Sequence, residues 1–408
     1  MKTEYITIRD RETTLRIMNT EIEAVRKKDI VRKGVRVIKE NVIGVSGSIG
    51  EVPNEELIDQ AEQNLSMGIR YPYELAKNIK RHEDYGEKSL QKDNWISQIE
   101  VVLETLKREY PEFDFSEKVG VNNRAVSYEN TEGLELEYRD TYMDLEFVLK
   151  EKSSVNLFDG FLLYTGRSFD EGLFLDFNRN LLKAHMTPVE LPDGHSLPVF
   201  MFNTERLDGY LGKALSGENY AVGSSIFKGK MNQKLFDSKV TYCQNFDGRE
   251  VYRPFFDMEG TLLKGDKLPL IENGELVNVF TDKKTAECYG LPHVGGATGD
   301  YDGMPRLENT TIKAEVDSSA IKDVLKGELA VLVFMAEGGD FTSDGGYATP
   351  VQLSYLFDGD RILGKLPEFS VSSNLYKMLG EDYLGTFRNP FYMGENSTLQ
   401  GYRLKVNR

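Results

Sequence analysis

The chain has 408 residues, of which 40% are hydrophobic and 28% are charged. This apolar fraction can build a core, so a fully disordered chain is excluded, and the length predicts two or three domains. The 66 acidic residues outnumber the 50 basic ones, and the net charge of −16 lacks the broad basic surface of a nucleic-acid-binding protein. The two cysteines are too few for a disulfide framework or a four-thiolate zinc site.

The apolar stretches fall well short of the roughly 20 residues that span a bilayer. The first residues, Met-Lys-Thr-Glu-Tyr, carry no apolar signal core. We therefore expect a cytoplasmic protein with neither a membrane nor a nucleic acid as its partner.

Alternating apolar and polar residues predict short strands at the start of the chain. They cover residues 5–8, 31–38 and 43–49, and the last two are close enough to form a hairpin. Gly44 and Gly47 would let another backbone approach this hairpin closely.

Two apolar stripes with a helical period follow these strands. The first spans residues 54–68, with Asn54 as its N-cap, and the second spans residues 95–109. The polar residues 81–93 between them are typical of a loop. The beginning of the chain is therefore mixed α/β.

A long hairpin is predicted next, because residues 119–130 and 133–151 alternate on either side of an Asn-Thr-Glu-Gly turn. A short strand over 161–164 and a helix over 169–182 complete this part of the chain.

A loop rich in Pro, Gly and polar residues at 185–196 sets the expected domain boundary. We expect an N-terminal α/β domain over residues 1–185, with a hairpin-rich subdomain at about 115–185. A β-rich C-terminal domain then covers residues 186–408. His185, at the start of the loop, is expected to be exposed.

Strand patterns dominate the C-terminal half, with Asn-Gly and Asp-Gly pairs as hairpin turns. A buried strand over 197–202 leads into a helix that ends near Ser216, with Asn203 or Thr204 as its N-cap. The whole pattern predicts an α+β fold, in which a mixed α/β domain precedes a strand-dominated, largely antiparallel domain.

Generic catalytic motifs are absent from the sequence. It has no His-Glu-x-x-His, no Gly-x-Ser-x-Gly, no phosphate-binding loop and no Rossmann glycine fingerprint. The order of short segments along the chain is therefore the more informative signal.

Several such segments occur in a fixed order over nearly the whole chain. They are GVRVI at 34–38, IGVSG at 43–47, SIFKGK at 225–230, FDMEGT at 256–261, PRLENT at 305–310, GGDF at 338–341 and SSNLYKML at 372–379. This order resembles the TldD/PmbA family, which was named for modulators of DNA gyrase and comprises two-subunit peptide-processing proteins.

The resemblance implies two branches that differ in one helix. The TldD-like branch carries His-Glu-x-x-x-His and a cysteine near its C-terminus, which together hold a zinc ion. In this chain Asp208 stands at the first His, Gly209 replaces the Glu, Lys213 replaces the second His, and no cysteine follows Cys288. The chain is thus similar to the TldE (PmbA) branch, which lacks the metal and partners a TldD-like metallopeptidase subunit.

On this resemblance we expect no catalytic residue and no metal cofactor in this chain, with zinc present only in a TldD-like partner. The partner is that subunit or a second copy of this chain, as a homodimer, and the substrate is a peptide. Candidate peptide-binding residues lie in two segments, the second of which is expected to form a tight turn: Arg306, Asn309, Thr310, Gly338, Gly339, Asp340 and Phe341.

The degenerate helix also has a purely structural interpretation. As an amphipathic helix it would bury Leu207, Leu211, Ala214 and Leu215 and leave Asp208, Tyr210 and Lys213 in solvent. Alternatively, Lys213 would direct its charge toward a peptide carbonyl.

Two other functions stay open. The chain could be a self-sufficient hydrolase that uses His293, Glu259 and Asp257, although two carboxylates in such a segment more often accept backbone hydrogen bonds at a turn. It could also be a stand-alone peptide-binding scaffold that has no peptidase partner.

Overall fold

The computed structural model describes residues 1–86, 90, 94–202, 204–308, 310–317 and 319–408. The strands are β1 Lys2–Met18, β2 Glu21–Lys39, β3 Val42–Ile49, β4 Ile79–Asp84, β5 Phe113–Asn130, β6 Leu134–Glu151, β7 Gly160–Gly166, β8 Ser196–Met201, β9 Tyr242–Asn245, β10 Lys267–Glu272, β11 Glu275–Leu276, β12 Ala297–Thr298, β13 Arg306–Leu307, β14 Ile312–Ala314, β15 Ala330–Met335, β16 Asp340–Phe341, β17 Gly346–Val351, β18 Leu353–Phe357, β19 Ile362–Lys365, β20 Phe369–Asn374, β21 Tyr383–Arg388 and β22 Thr398–Asn407. The α-helices are α1 Asn54–Asn64, α2 Asn94–Glu109, α3 Glu171–His185, α4 Glu205–Ala214, α5 Gly217–Val222, α6 Lys283–Tyr289, α7 Ile321–Leu325 and α8 Leu375–Met378. Within these described residues, we find no helix with the length and apolar character needed to cross a membrane.

The N-terminal strands form one sheet in the order β3-β2-β1-β5-β6, and β6 also pairs with β4 and β7. The two predicted hairpins, β2–β3 and β5–β6, are both antiparallel as expected. The strands are far longer than the sequence pattern predicted, since β1 has 17 residues and β2 has 19.

The buried face of this sheet changes along its length. In β5, Phe115 and Val119 at odd positions join the core that includes α2 and α3, whereas Val126 and Tyr128 at even positions pack near Phe256. Successive residues of a strand point to opposite faces, so each half of the long hairpin buries a different face. One half is covered by helices, and the other packs against a C-terminal segment.

Strand β4 corrects the prediction of a loop over 81–93. Residues 79–84 pair in parallel with the start of β6, and residues 87–89 and 91–93 lie outside the described part of the chain. The strand was missed because it has no fully buried residue, so its polar sequence carries no alternating apolar signal.

Helix α1 begins at Asn54, and the residue in the N-cap position is Pro53, not Asn54 as predicted. Leu57 and Ala61 are buried against β2, as the apolar stripe predicts. Gly44 provides the space for this packing, because a Cβ atom there would lie 1.9 Å from the carbonyl oxygen of Ala61.

A second large sheet, built from the C-terminal half, has the order β16-β17-β20-β22-β8-β15-β18-β19, with β21 also paired to β22. Its pairs are antiparallel except β8–β15. The α+β fold class is therefore confirmed. The boundary at residue 185 stays a prediction, since one hydrophobic core includes residues of both halves, such as Phe147 and Phe200.

His185 is buried, contrary to the expected exposed loop. It ends α3, and its Nδ1 lies 2.9 Å from the hydroxyl oxygen of Tyr355. Burial lowers the pKa of His185 to about 4. The residue therefore belongs to the packing between α3 and the C-terminal sheet.

Two glycines of the first hairpin let the C-terminal half approach the N-terminal sheet. A Cβ atom on Gly34 would lie 1.7 Å from the carbonyl oxygen of Tyr301, and one on Gly47 would lie 2.3 Å from the Cβ atom of Asp302. The close approach of another segment that was expected at Gly44 and Gly47 is thus confirmed, and Gly34 is a third such position.

Replacing Gly34 with alanine should lower the free energy of unfolding by about 1–3 kcal/mol, because the added methyl group overlaps a backbone atom that cannot move alone. Urea denaturation of the two proteins measures this difference. The matched control is Gly209→Ala in α4, where nothing lies within 4 Å of the new Cβ, and it should raise stability by up to about 1 kcal/mol. Equal stability of Gly34→Ala and wild type would contradict the close approach.

Candidate functional site

Helix α4 follows strand β8 directly and is the helix on which the resemblance places a zinc motif. Its stripe Leu207, Leu211, Ala214 and the following Leu215 is buried, so the amphipathic interpretation is right for the apolar face. Tyr210 is half-buried and stacks on Phe341 at a ring distance of 4.8 Å.

Asp208 is not in solvent, contrary to the amphipathic interpretation. Its Oδ2 accepts a hydrogen bond of 2.7 Å from the hydroxyl of Thr204, and its Oδ1 is buried with no hydrogen-bond partner among the described residues. Burial raises the pKa of Asp208 to about 6. Two buried tyrosines nearby, Tyr242 and Tyr402, both donate to Gln400.

The residues of α4 do not form a zinc-binding set. Asp208 offers one carboxylate, Gly209 has no side chain, and Lys213 is a cation that cannot ligate a metal. Lys213 is also exposed and lines none of the cavities described below, so its geometry does not favour a contact with a peptide in them.

A cavity of about 690 Å³ opens at the N-terminal end of α4. Its walls come from β7, β8, β15 and the start of α4, and they are mostly apolar. The aromatic and aliphatic residues that line it include Phe158, Phe161, Leu163, Met201, Phe202, Phe334, Met335, Phe341, Tyr347 and Met378.

A second cavity of about 770 Å³ adjoins the first, since Glu146, Leu163 and Phe202 line both. It lies between the N-terminal sheet and C-terminal residues such as Tyr252 and Lys313, and charged side chains from both parts of the chain border it. We call the two cavities together the cleft. Cavities of this size suit extended ligands.

The wall at Tyr252 is held by a buried ion pair. Arg167 donates two hydrogen bonds, of 2.8 and 2.7 Å, to the carboxylate of Asp140 on β6. The same guanidinium donates to the carbonyl oxygen of Gly248 and lies over the ring of Tyr252, 4.6 Å from its centroid. This contact fixes the 248–252 segment against the sheet.

The predicted peptide-binding residues fall in different places. Phe341 lines the cleft, whereas Arg306 and Thr310 do not. Thr310 accepts a hydrogen bond of 3.1 Å from the buried Gln244. Asn309 lies outside the described residues.

The segment 338–341 is not a tight turn. Gly338 forms a bend with a φ of 91°, Asp340 and Phe341 form strand β16, and the hairpin turn is at residues 342–345. Gly339 lies close to the neighbouring strand β17, because a Cβ atom on it would lie 2.3 Å from the Cβ atom of Thr349. The space at Gly339 is therefore filled by this chain itself.

Asp257, Glu259 and His293 lie together in the fold, although His293 is more than 30 residues away from the two carboxylates in the sequence. Each offers one donor atom, and these atoms all lie within 4.8 Å of one another. Both carboxylates are buried, and His293 Nε2 lies 3.5 Å from Glu259 Oε2. The three residues are therefore a possible ligand set for a cation.

The hydrogen bonds of these carboxylates agree with the structural interpretation. Asp257 accepts from the backbone N–H groups of Glu259, Thr261 and Ala297. Burial and the neighbouring Glu259 carboxylate raise the pKa of Asp257. Asp257 thus organises the turn before Gly260, as expected for carboxylates in this segment.

The same residues do not form a nucleophile–histidine–carboxylate relay. His293 approaches both Thr261 Oγ1 and Glu259 Oε2 through Nε2, each at 3.5 Å. A relay requires one ring nitrogen on the nucleophile and the other on the carboxylate.

Several residues of the cleft were not identified from the sequence. Glu146 and Tyr252 carry no motif, and the sequence shows Glu146 only as one polar position of an alternating strand. The sequence signal for Glu146 was its place on the polar face of strand β6, and this signal does not show which segment the face borders.

A family model described as the PmbA/TldA metallopeptidase C-terminal domain matches residues 202–386, which include α4 and most of the C-terminal sheet. This segment belongs to the PmbA/TldD family. The family resemblance of the sequence is therefore confirmed. A protein of Archaeoglobus fulgidus described as a metalloprotease is 24% identical over 394 residues, which cover 91% of this chain and 88% of that protein.

An uncharacterized protein of Methanocaldococcus jannaschii is 26% identical over 174 residues, 41% of this chain and 40% of that protein. Among solved structures, TldE from Thermococcus kodakarensis superposes with a TM-score of 0.82 at 19% identity, over 100% of this chain and 97% of that chain. A modulator of a DNA gyrase from Thermotoga maritima gives 0.75 at 17% identity, over 99% and 96%. The fold of this chain is therefore shared with these structures along nearly its whole length.

Asp208 should make the stability of the protein depend on pH. Because its pKa in the folded state is about 6 and that of an unfolded Asp is about 3.9, the folded state holds the proton between these values. The free energy of unfolding should therefore fall as pH rises from about 4 to about 7.

The variant Asp208→Asn should lack this contribution, which is on the order of 2 kcal/mol. Urea midpoints of both proteins at pH 4.5 and pH 7.5 measure it, and the wild type should lose more stability between the two pH values than the variant. An identical pH dependence in both proteins would show that Asp208 is not the titrating group.

Arg306→Ala should leave the fold intact, because the Arg306 side chain is 64% exposed and its ion-pair partner among the described residues is the exposed Glu308. The thermal midpoint should stay within about 2 °C of the wild type. Peptide binding by the folded variant then tests the predicted peptide-binding role of Arg306. Weaker binding keeps Arg306 in the site, and unchanged binding removes it.

Proposed function

We propose that this chain is a non-catalytic, TldE-like subunit of a metallopeptidase complex, in which it forms part of a peptide-binding chamber. The observation that carries this proposal is the composition of α4. At the positions of the zinc motif, this helix has a buried carboxyl at Asp208, no side chain at Gly209 and an exposed cation at Lys213.

The cleft supports a role in peptide binding. An extended peptide rises about 3.3 Å per residue, and the apolar cavity next to α4 can enclose several side chains. In a TldD-like partner, the zinc ion would polarise the scissile carbonyl and activate a water molecule. The residues of this chain would then bind and orient the peptide beside it.

An exposed apolar loop between β6 and β7 supports a partner chain. Val155 is 100% exposed and Leu157 is 93% exposed. The loop is nevertheless ordered by Asp159, which accepts hydrogen bonds from the backbone of Glu151 and the hydroxyl of Ser154. A fixed loop that presents apolar side chains to solvent is typical of an interface, to a TldD-like subunit or to a second copy of this chain.

The proposal is tested by reconstitution with a TldD-like metallopeptidase chain. This protein alone should bind an unfolded peptide without cleaving it, and cleavage should begin when the second chain is added. Mass spectrometry of the peptide measures the products. The control is the TldD-like chain alone, and cleavage by this protein alone would contradict the proposal.

Metal analysis gives an independent readout. Protein purified without metal-affinity resin should contain far less than one zinc per chain, because the zinc-motif positions of α4 offer a single carboxylate, Asp208, as a ligand. A stoichiometric amount of zinc would overturn the non-catalytic assignment.

The second candidate function is a self-sufficient hydrolase, favoured by the single observation that Asp257, Glu259 and His293 lie together. This function predicts peptide hydrolysis by the isolated chain that is lost in His293→Ala. Retained binding without hydrolysis, and without any partner in a native pull-down, would instead support the stand-alone scaffold.

A further inference from the structure

The cleft has two chemically different parts, which together define the ligand it suits. The part beside α4 is lined mainly by apolar residues, with the aromatic rings of Phe158, Phe161, Phe202 and Phe334 in its wall. The adjoining part is bordered by charged side chains of the N-terminal sheet. A ligand that fills both must carry a bulky apolar group next to a polar or charged one.

The charge beside the apolar part is negative. Asp144 and Glu146 are two residues apart on β6, so both point to the face that borders the cleft. Neither forms an ion pair with any residue that the structure describes. Asp144 accepts hydrogen bonds only from neutral groups, Thr165 Oγ1 at 3.0 Å and Asn122 Nδ2 at 3.1 Å.

The lysines of the cleft are engaged elsewhere. Lys118 is the cross-strand neighbour of Glu146, but its Nζ lies 3.5 Å from Glu117. Lys313 donates to the backbone carbonyl oxygens of Glu250 and Asn396, at 3.2 and 3.3 Å.

The other charged groups of the cleft also have partners. Arg206 pairs with Glu337, Glu12 with Lys28, and Glu250 with Lys267. Glu146 therefore combines two properties, because it borders both cavities and no described residue forms an ion pair with its carboxylate, although Lys118 lies opposite it on β5.

We propose that the cleft selects unfolded peptide segments in which a bulky apolar side chain lies close to a lysine or arginine. This inference rests on the peptide-binding function proposed above. The apolar side chain occupies the cavity beside α4, and the cationic one pairs with Glu146. Glu146 is thus the residue that determines specificity, and an acidic segment is disfavoured by repulsion from Glu146 and Asp144.

Three labelled octapeptides test the proposal with the full chain. They share glycine and serine at the flanking positions and differ in the centre, which is Phe-Leu-Lys, Phe-Leu-Glu or Ser-Ser-Lys. Fluorescence anisotropy measures their dissociation constants at low and moderate salt. The Phe-Leu-Lys peptide should bind about fivefold tighter than Phe-Leu-Glu, and this ratio should decrease with salt, because a partly exposed ion pair is screened.

The variant Glu146→Gln should reduce the Lys-to-Glu preference to less than about twofold while leaving the thermal midpoint unchanged, since the side chain is exposed. The matched control is Glu104→Gln on α2, which removes the same charge from an exposed residue that borders neither cavity of the cleft. The control should keep the full preference.

Two results would overturn the inference while leaving the peptide-binding function intact. They are equal affinity for the Lys and Glu peptides, and equal affinity for the Phe-Leu-Lys and Ser-Ser-Lys peptides. A preference that persists in Glu146→Gln would overturn the role of Glu146. If none of the three peptides binds at any salt concentration, the proposed peptide-binding function itself fails.

Discussion

The buried ion pair between Arg167 and Asp140 is the contact on which the cleft depends. Asp140 lies on the long strand β6, and Arg167 also holds the carbonyl oxygen of Gly248 and the ring of Tyr252. Strand β6 and the segment 248–252 form facing walls of the cleft. Removing one partner of such a pair leaves a buried charge and costs about 3–5 kcal/mol, so the pair ties the shape of the cleft to the stability of the fold.

A second buried cation joins the other end of the same sheet to the C-terminal half. Arg36 on β2 is fully buried and donates to the carbonyl oxygens of Met258 and Gly303. The Glu4 carboxylate forms an ion pair with Arg36, with 3.7 Å between Oε2 and Nη1, and it also accepts a hydrogen bond from the hydroxyl of Tyr128. The N-terminal sheet is therefore attached at both ends, which explains why its buried face changes along its length.

Helix α4 shows how a shared fold can be compatible with different chemistry. The apolar stripe that packs the helix against the core is complete. At the positions of the expected zinc motif, Asp208 is hydrogen-bonded to Thr204 and Gly209 has no side chain. The apolar stripe and the positions Asp208, Gly209 and Lys213 are different residues of the same helix, so the residue types at those positions can differ without loss of the fold. The cleft beside the helix includes residues from the start of α4, but Asp208, Gly209 and Lys213 do not line it.

The sequence by itself determined the local elements and the family. Alternating runs and apolar stripes predicted both N-terminal hairpins, helix α2 and the apolar face of α4, because these depend on the period of neighbouring residues. The order of short segments predicted the PmbA/TldD family. The sequence also showed that Asp208, Gly209 and Lys213 differ from the expected zinc motif, because that comparison needs only the residue types at fixed positions.

The tertiary structure decided where these elements meet. The burial of Asp208 and His185, the parallel pairing of β4, and the place of Glu146 between two cavities all depend on contacts between distant segments. The sequence pattern gives the faces of a strand but not which neighbour covers each face, and in the long hairpin that neighbour changes midway. Local periodicity is a property of a few adjacent residues, whereas a cleft is a property of the packing between two sheets.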